Sequence, residues 1–239
     1  MAAVDAADAW FLKEGLSEAT LSSALVGRSF AAVRRLGKLL LLDTKGGPTL
    51  GLRFGMTGRL LVDGLAGTDE LEYSSVRDVP AWDRVRLVFT DGGDLRVRDP
   101  RRLGGVVLDP DESRLGADAA SVGMAELRRV LAGSAAPLKT RLMDQSRVAG
   151  IGNLIADEVL FRAGLDPGRP AGSLSTAEAR RLHRHLRQTL GDLIAGGGSH
   201  TGILQPHRAP GGRCPRDHEC LERRSIGGRT SWSCPRHQR

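Results

Sequence analysis

The chain has 239 residues, 40% of them hydrophobic and 26% charged, with a formal net charge of +7. That length holds one good core or two smaller domains with an attached module, and the ordinary hydrophobic share argues against a disordered chain. No run of about 18 apolar residues occurs, and the acidic "MAAVDAADAWF" start lacks the positive flank of a signal peptide, so the chain reads as cytoplasmic with no membrane partner.

The first half reads as strands. A short helix is expected at "SEATLSSAL", with Ser17 as its N-cap. The stretches "SFAAVRRLGKLLLLDT", "TLGLRFGMTGRLLVD", "DRVRLVFTDGGDLRVRD" and "LGGVVLD" then alternate or run apolar, punctuated by Gly, Asp and Pro. "TDGGDLRV" is a hairpin signal. After about residue 112 the spacing turns helical, in "ADAASVGMAELRRVLAG" and "APLKTRLMDQS". "NLIADEVLFRAGLDP" is an amphipathic helix that starts after a glycine pair and stops at Gly164 and Pro167. "STAEARRLHRHLRQTLGDLIAGGG" is another, opened by a Ser175–Glu178 capping box. "GGGSHTGILQPHRAPGGR" reads as loop or linker, and the tail as a two-stranded ribbon turning at "IGGRTS". The fold class is therefore α+β: a β-rich region over 1–111, a helical one over 112–200, and a linker with terminal hairpin over 201–239.

Two compositional features bear on function. Arginine far outnumbers lysine, which suggests a polyanion partner because such clusters neutralise phosphates; a GC-rich genome is the alternative source of the bias. The three cysteines all lie between Cys214 and Cys234, and an odd clustered set favours a local metal site over a disulfide framework.

"MDQSRVAGIGNLIADEV" is the most informative stretch of the body. Gly150 and Gly152 permit close approach of a ligand to the backbone, and Asn153 stands at the mouth of a helix whose free N–H groups attract anions. A tight turn between two helices is the plainer reading; Lys139, Arg141 and Arg147 nearby favour phosphate.

Taken with "LKTRLMDQ" before it and "ADEVLFRAGLDP" after it, "VAGIGN" resembles the helix–two-turn–helix motif of the formamidopyrimidine-DNA glycosylase/endonuclease VIII family. "RRLGKLLLLDT", "LRFGMTGRL" and "RDPRRLGG" follow the order and spacing of that family's β-sandwich, and "GGRTSWSCP" resembles its zinc finger, so the likeness runs from about residue 20 to the end. The resemblance implies double-stranded DNA carrying an oxidised base or an abasic site as partner, held by a monomer between sandwich and helices. It implies base excision followed by β- or β,δ-elimination. By the same resemblance, Lys38 contacts DNA and assists proton transfer, and Arg229 at the hairpin tip pins phosphates beside the lesion. Lys139 and Asn153 match the phosphate-gripping pair. Met56, Arg101 and Leu103 match the residues that fill the hole left by the extruded base, Leu103 standing where the family usually has an aromatic.

The resemblance also implies one structural zinc ion. Family fingers use two C-x-x-C pairs; here Cys214, Cys234 and His237 take three positions and Asp217 the fourth, with His218 or Cys220 as alternatives to Asp217. A metal-free hairpin held by Trp232 and Ile226 is the competing reading. The linker is short beside the family's base-capping loop, which implies looser recognition of the flipped base. Family members open Met-Pro-Glu and use the proline amine as nucleophile, whereas "MAAVDAADAWF" has no such start. Three expectations follow: a start further upstream, a variant that binds without cutting, or Lys38 acting as a substitute amine.

Overall fold

The computed structural model describes residues 1–67, 75 and 77–239. The chain divides into two compact units, Met1–Glu112 and Ser113–Arg239. Among the described residues no helix is long and apolar enough to cross a membrane.

The first unit contains, in order, β1 (Ala3–Asp5), α1 (Glu18–Leu25), β2 (Phe30–Leu36), β3 (Leu39–Thr44), β4 (Thr49–Arg53), β5 (Arg59–Val62), β6 (Leu65–Ala66), β7 (Asp83–Val88), β8 (Asp94–Arg98) and β9 (Gly105–Leu108). The strands make two antiparallel sheets, β1-β7-β8-β5-β6 and β2-β3-β4-β9. Alternation decides their inner faces: Val85 and Leu87, Leu95 and Val97, and Leu50 and Leu52 step by two residues into one shared core. Helix α1 adds Leu21 and Leu25, one turn apart and both fully buried, each contributing about 1.5–3 kcal/mol by burial. Ser17 caps that helix as the sequence indicates, its hydroxyl accepting from Thr20 N at 3.1 Å.

The second unit contains β10 (Ala117–Asp118), α2 (Met124–Leu131), α3 (Leu138–Met143), β11 (Val148–Ala149), α4 (Asn153–Ala163), α5 (Thr176–Ala195), β12 (Glu222–Ile226) and β13 (Arg229–Ser233). Helix α2 is shorter than the spacing of "ADAASVGMAELRRVLAG" predicts. Gly123 caps it, and Ala117–Asp118 is drawn instead into a parallel bridge with Val148–Ala149. Helix α4 ends as expected at Gly164, whose φ of 63° is the left-handed C-cap that glycine accepts most readily. The capping box of α5 is formed in full by Ser175 and Glu178. The helices share one apolar core, to which α4 gives Ala156, Val159 and Leu160 and α5 gives Leu182 and Leu186.

The C-terminal hairpin is packed onto this unit. Phe161 of α4 meets Leu204, Cys214, Leu221, Trp232 and Cys234 in a small separate cluster. The loop ahead of the hairpin is tied to the same unit. The Glu158 carboxylate accepts from Ile203 N at 3.1 Å and Leu204 N at 2.8 Å, and Leu204 is fully buried.

Candidate nucleic-acid interface and metal site

The loop between α3 and α4 brings two half-buried glycines to the mouth of a helix. Gly150 has φ +112°, outside the range that side chains adopt easily, and Gly152 caps α4 without any side chain to satisfy the first N–H groups. Gln145 fixes the loop from within, donating to Met143 O at 2.7 Å and Ile151 O at 2.9 Å and accepting from Gly150 N at 3.0 Å. Asn153 is the first residue of α4, and its side-chain oxygen is buried with no partner among the described residues. An anion placed at this mouth meets free N–H groups and the positive end of α4.

Arg229 is exposed at the start of β13, directly after the Gly227–Gly228 turn. Gly227 has φ +57°, and a methyl group there would collide with the Thr140 hydroxyl of α3, so the hairpin tip lies against that helix. Lys139 does not reach the surface grip that the resemblance implies. Its side chain is fully buried, its ammonium pairs with Asp157 Oδ1 at 2.7 Å and donates to Thr230 O at 3.0 Å. In this structure α4 and β13 enclose that ammonium. Burial pushes the Lys139 pKa below its ordinary value, and Asp157 opposes the shift. Lys139 thus secures the strand that presents Arg229.

Asp157 organises the same region. Besides Lys139 it accepts from Arg208 at 2.9 Å, Ser231 Oγ at 2.8 Å and Trp232 N at 3.3 Å. Sequence reasoning gives neither Asp157 nor Gln145 as a site residue, since each stands among other polar residues in "NLIADEVLF" and "LKTRLMDQ" and carries no local signal.

In the first unit Lys38 is exposed in the two-residue turn between β2 and β3, where Gly37 takes φ +59°. Met56 and Leu103 are exposed apolar residues, at 52% and 46%, and Arg101 is exposed beside Leu103. The structure brings the Met56 and Leu103 loops together: a Cβ at Gly55 would lie 2.8 Å from Leu103 Cβ.

Cys214, Asp217, Cys234 and His237 converge, their donor atoms all within 4.8 Å of one another. His218 and Cys220 lie outside that group; Cys220 is exposed and pairs through its backbone with Arg213. Burial pushes the Cys214 thiol up to about 11, while its hydrogen bond holds Asp217 down at about 2. Two buried sulfurs, one imidazole and one carboxylate on two facing turns suit a small tetrahedral cation. These four residues could hold a metal ion.

An anion-receptive helix mouth, an arginine-tipped hairpin over a four-ligand cluster and an antiparallel sandwich together define a DNA-glycosylase-type fold. The chain belongs to the formamidopyrimidine-DNA glycosylase family. Residues 1–106 match that family's N-terminal domain and residues 115–204 its H2TH domain. Relatives called formamidopyrimidine-DNA glycosylase include one from Alkalilimnicola ehrlichii, 35% identical over 92% of this chain and 86% of its own length. Another, from Thermus thermophilus, is 37% identical over 87% of this chain and 82% of its own. Among solved structures, the Lactococcus lactis Fpg complex with DNA containing Fapy-dG superimposes with a TM-score of 0.82 at 23% identity, covering 100% of this chain and 92% of that one. A complex of the same enzyme with DNA containing an abasic site gives 0.81 at 22% identity over the same shares.

Proposed function

We propose that this protein is a DNA base-excision repair glycosylase that binds duplex DNA carrying an oxidised base or an abasic site, removes the base and nicks the strand by elimination. The observation that carries this reading is the pairing, within one packed unit of a family member, of the α4 N-terminus at Gly152–Asn153, which no side chain caps, with the hairpin tip at Arg229. Both offer donors to phosphates, and neither has an acidic neighbour occupying it among the described residues. Met56, Arg101 and Leu103 then fill the stack left by the extruded nucleotide. Zinc held by Cys214, Asp217, Cys234 and His237 would secure the hairpin base and takes no part in the chemistry.

The lyase step needs an amine that reaches the sugar carbon. The chain has only four lysines, Lys13, Lys38, Lys45 and Lys139. Lys139 is enclosed and Lys13 donates to Trp10 O at 2.6 Å. Of the two exposed lysines, Lys38 and Lys45, Lys38 is the one that the family resemblance sets against DNA, and it is the candidate amine. Borohydride trapping on a duplex with one abasic site tests this directly. A covalent band lost in Lys38→Arg is expected. Lesion-preferring binding with no band would leave a damage-binding protein without chemistry, and binding without lesion preference would overturn the proposal.

A further inference from the structure

Asp99 is fully buried in the first unit, one residue beyond β8, and its carboxylate joins two loops. One oxygen accepts from the Thr57 hydroxyl and from Arg101 N at 3.2 Å; the other accepts from Gly104 N at 2.8 Å. Thr57 adjoins Met56 in the turn after β4, and Arg101 and Gly104 bracket Leu103. The backbone of Asp99 is fixed as well, its carbonyl accepting from Arg84 Nε at 2.8 Å and its N–H donating to Trp82 O at 2.9 Å. The loops leave no room to slide: Gly55, with φ +61°, has Leu103 backbone 2.7 Å from where a Cβ would stand, and Gly58 N bonds back to Phe54 O at 2.8 Å.

We infer that Asp99 is a positioning residue for lesion recognition: it locks the Met56 and Leu103 tips in register so that both enter the gap left by an extruded nucleotide. The inference rests on the DNA-lesion reading above. Two exposed apolar side chains on separate loops act as one wedge only if the loops move together. A single carboxylate bonded to both gives that rigidity, and a buried acceptor has no water to substitute for a lost donor. Leucine stacks less well than an aromatic ring, so at Leu103 accuracy of placement has to supply what ring stacking does not.

The test uses full-length protein and compares an intact duplex, a duplex with an abasic analogue, and the latter with 2-aminopurine opposite the gap. Thr57→Val removes the hydroxyl at constant shape, and Asp99→Asn turns a donor toward the Gly104 N–H or the Thr57 hydroxyl. Both variants should bind intact duplex within about twofold of wild type yet lose about tenfold of the preference for the abasic duplex, the size expected for a buried hydrogen bond. The 2-aminopurine emission change should fall with it, and Thr57→Ser should restore both. Retained preference and emission in Thr57→Val and Asp99→Asn would overturn the inference. So would an equal loss on intact duplex, which marks a folding role. If Asp99→Asn does not fold, Thr57→Val decides alone. Absence of lesion preference in wild type would instead overturn the functional reading.

Discussion

Lys139 and Asp157 form an ion pair 2.7 Å long with both side chains wholly removed from solvent. Arg208, 9% exposed, shares the same carboxylate, so one anion serves two buried cations. The two halves of the pair are therefore unequal. Asp157→Asn leaves Lys139 and Arg208 facing each other without a counter-charge and should cost about 3–5 kcal/mol. Lys139→Met leaves Asp157 still bonded to Arg208, Ser231 and Trp232 N and should cost clearly less. Urea unfolding of the two variants checks the order; equal losses would mean the pair alone, and not the shared carboxylate, holds the hairpin.

Burial of Lys139 also bears on DNA affinity. A side chain that neutralises a phosphate adds close to one unit to the salt slope of binding, and a buried one adds nothing. Arg229→Ala should flatten log K against log salt by about 0.9, whereas Lys139→Met should leave the slope unchanged and lower affinity only through the hairpin it supports. A flattened slope in Lys139→Met would show that the ammonium turns outward to meet DNA.

The four-ligand cluster predicts one zinc ion per chain. Cys234→Ser and His237→Ala should abolish it, and Cys220→Ser should not, because Cys220 stands apart from the group. Asp217→Cys should tighten binding, since thiolate is the better zinc ligand. Metal content and chelator competition read each outcome, and zinc loss in Cys220→Ser would mean that the ligand set is wrong. Chelation should also lower the melting temperature of the second unit, as the Cys214 and Cys234 turns pack on Phe161.

Local signals carried most of the fold. Caps at Ser17, Ser175 and Gly164, the glycine turn at Gly227–Gly228 and the two-residue alternation of the strands all depend on near neighbours, and each appears where the pattern puts it. The candidate site is legible only at its surface. Exposed residues such as Met56, Arg101, Leu103 and Arg229 belong to short motifs, but the carboxylates beneath them do not. Asp99 meets Thr57 across 42 residues and Asp157 meets Ser231 across 74, and no periodicity encodes such a pairing. Lys139 is a case in point: its basic motif shows the charge, and only the fold shows the buried partner Asp157.

The capping box of α5 makes a prediction about acid. Glu178 accepts two bonds from Arg169, at 2.5 and 3.0 Å, and one from Ser175 N at 2.8 Å. Arg169 first, then the Ser175 backbone, hold its pKa down at about 2 against an ordinary 4.5. The folded value is the depressed one, so the unfolded chain binds the proton more readily. Stability from Glu178 is therefore complete above about pH 4.5 and drains away as pH falls toward 2. Wild type should lose stability across that window, and Glu178→Gln, already neutral, should be less stable at pH 7 and show a shallower acid limb. Ser175→Ala removes the other half of the box and should cost about 1 kcal/mol. Because Arg169 also reaches the C-terminal Arg239 carbonyl, at 3.4 Å, releasing it should loosen the end of the chain that carries His237. Thermal melts between pH 2 and 7, with and without added zinc, separate that coupling from the helix cap itself. An acid limb in Glu178→Gln as steep as wild type would assign the effect to other carboxylates.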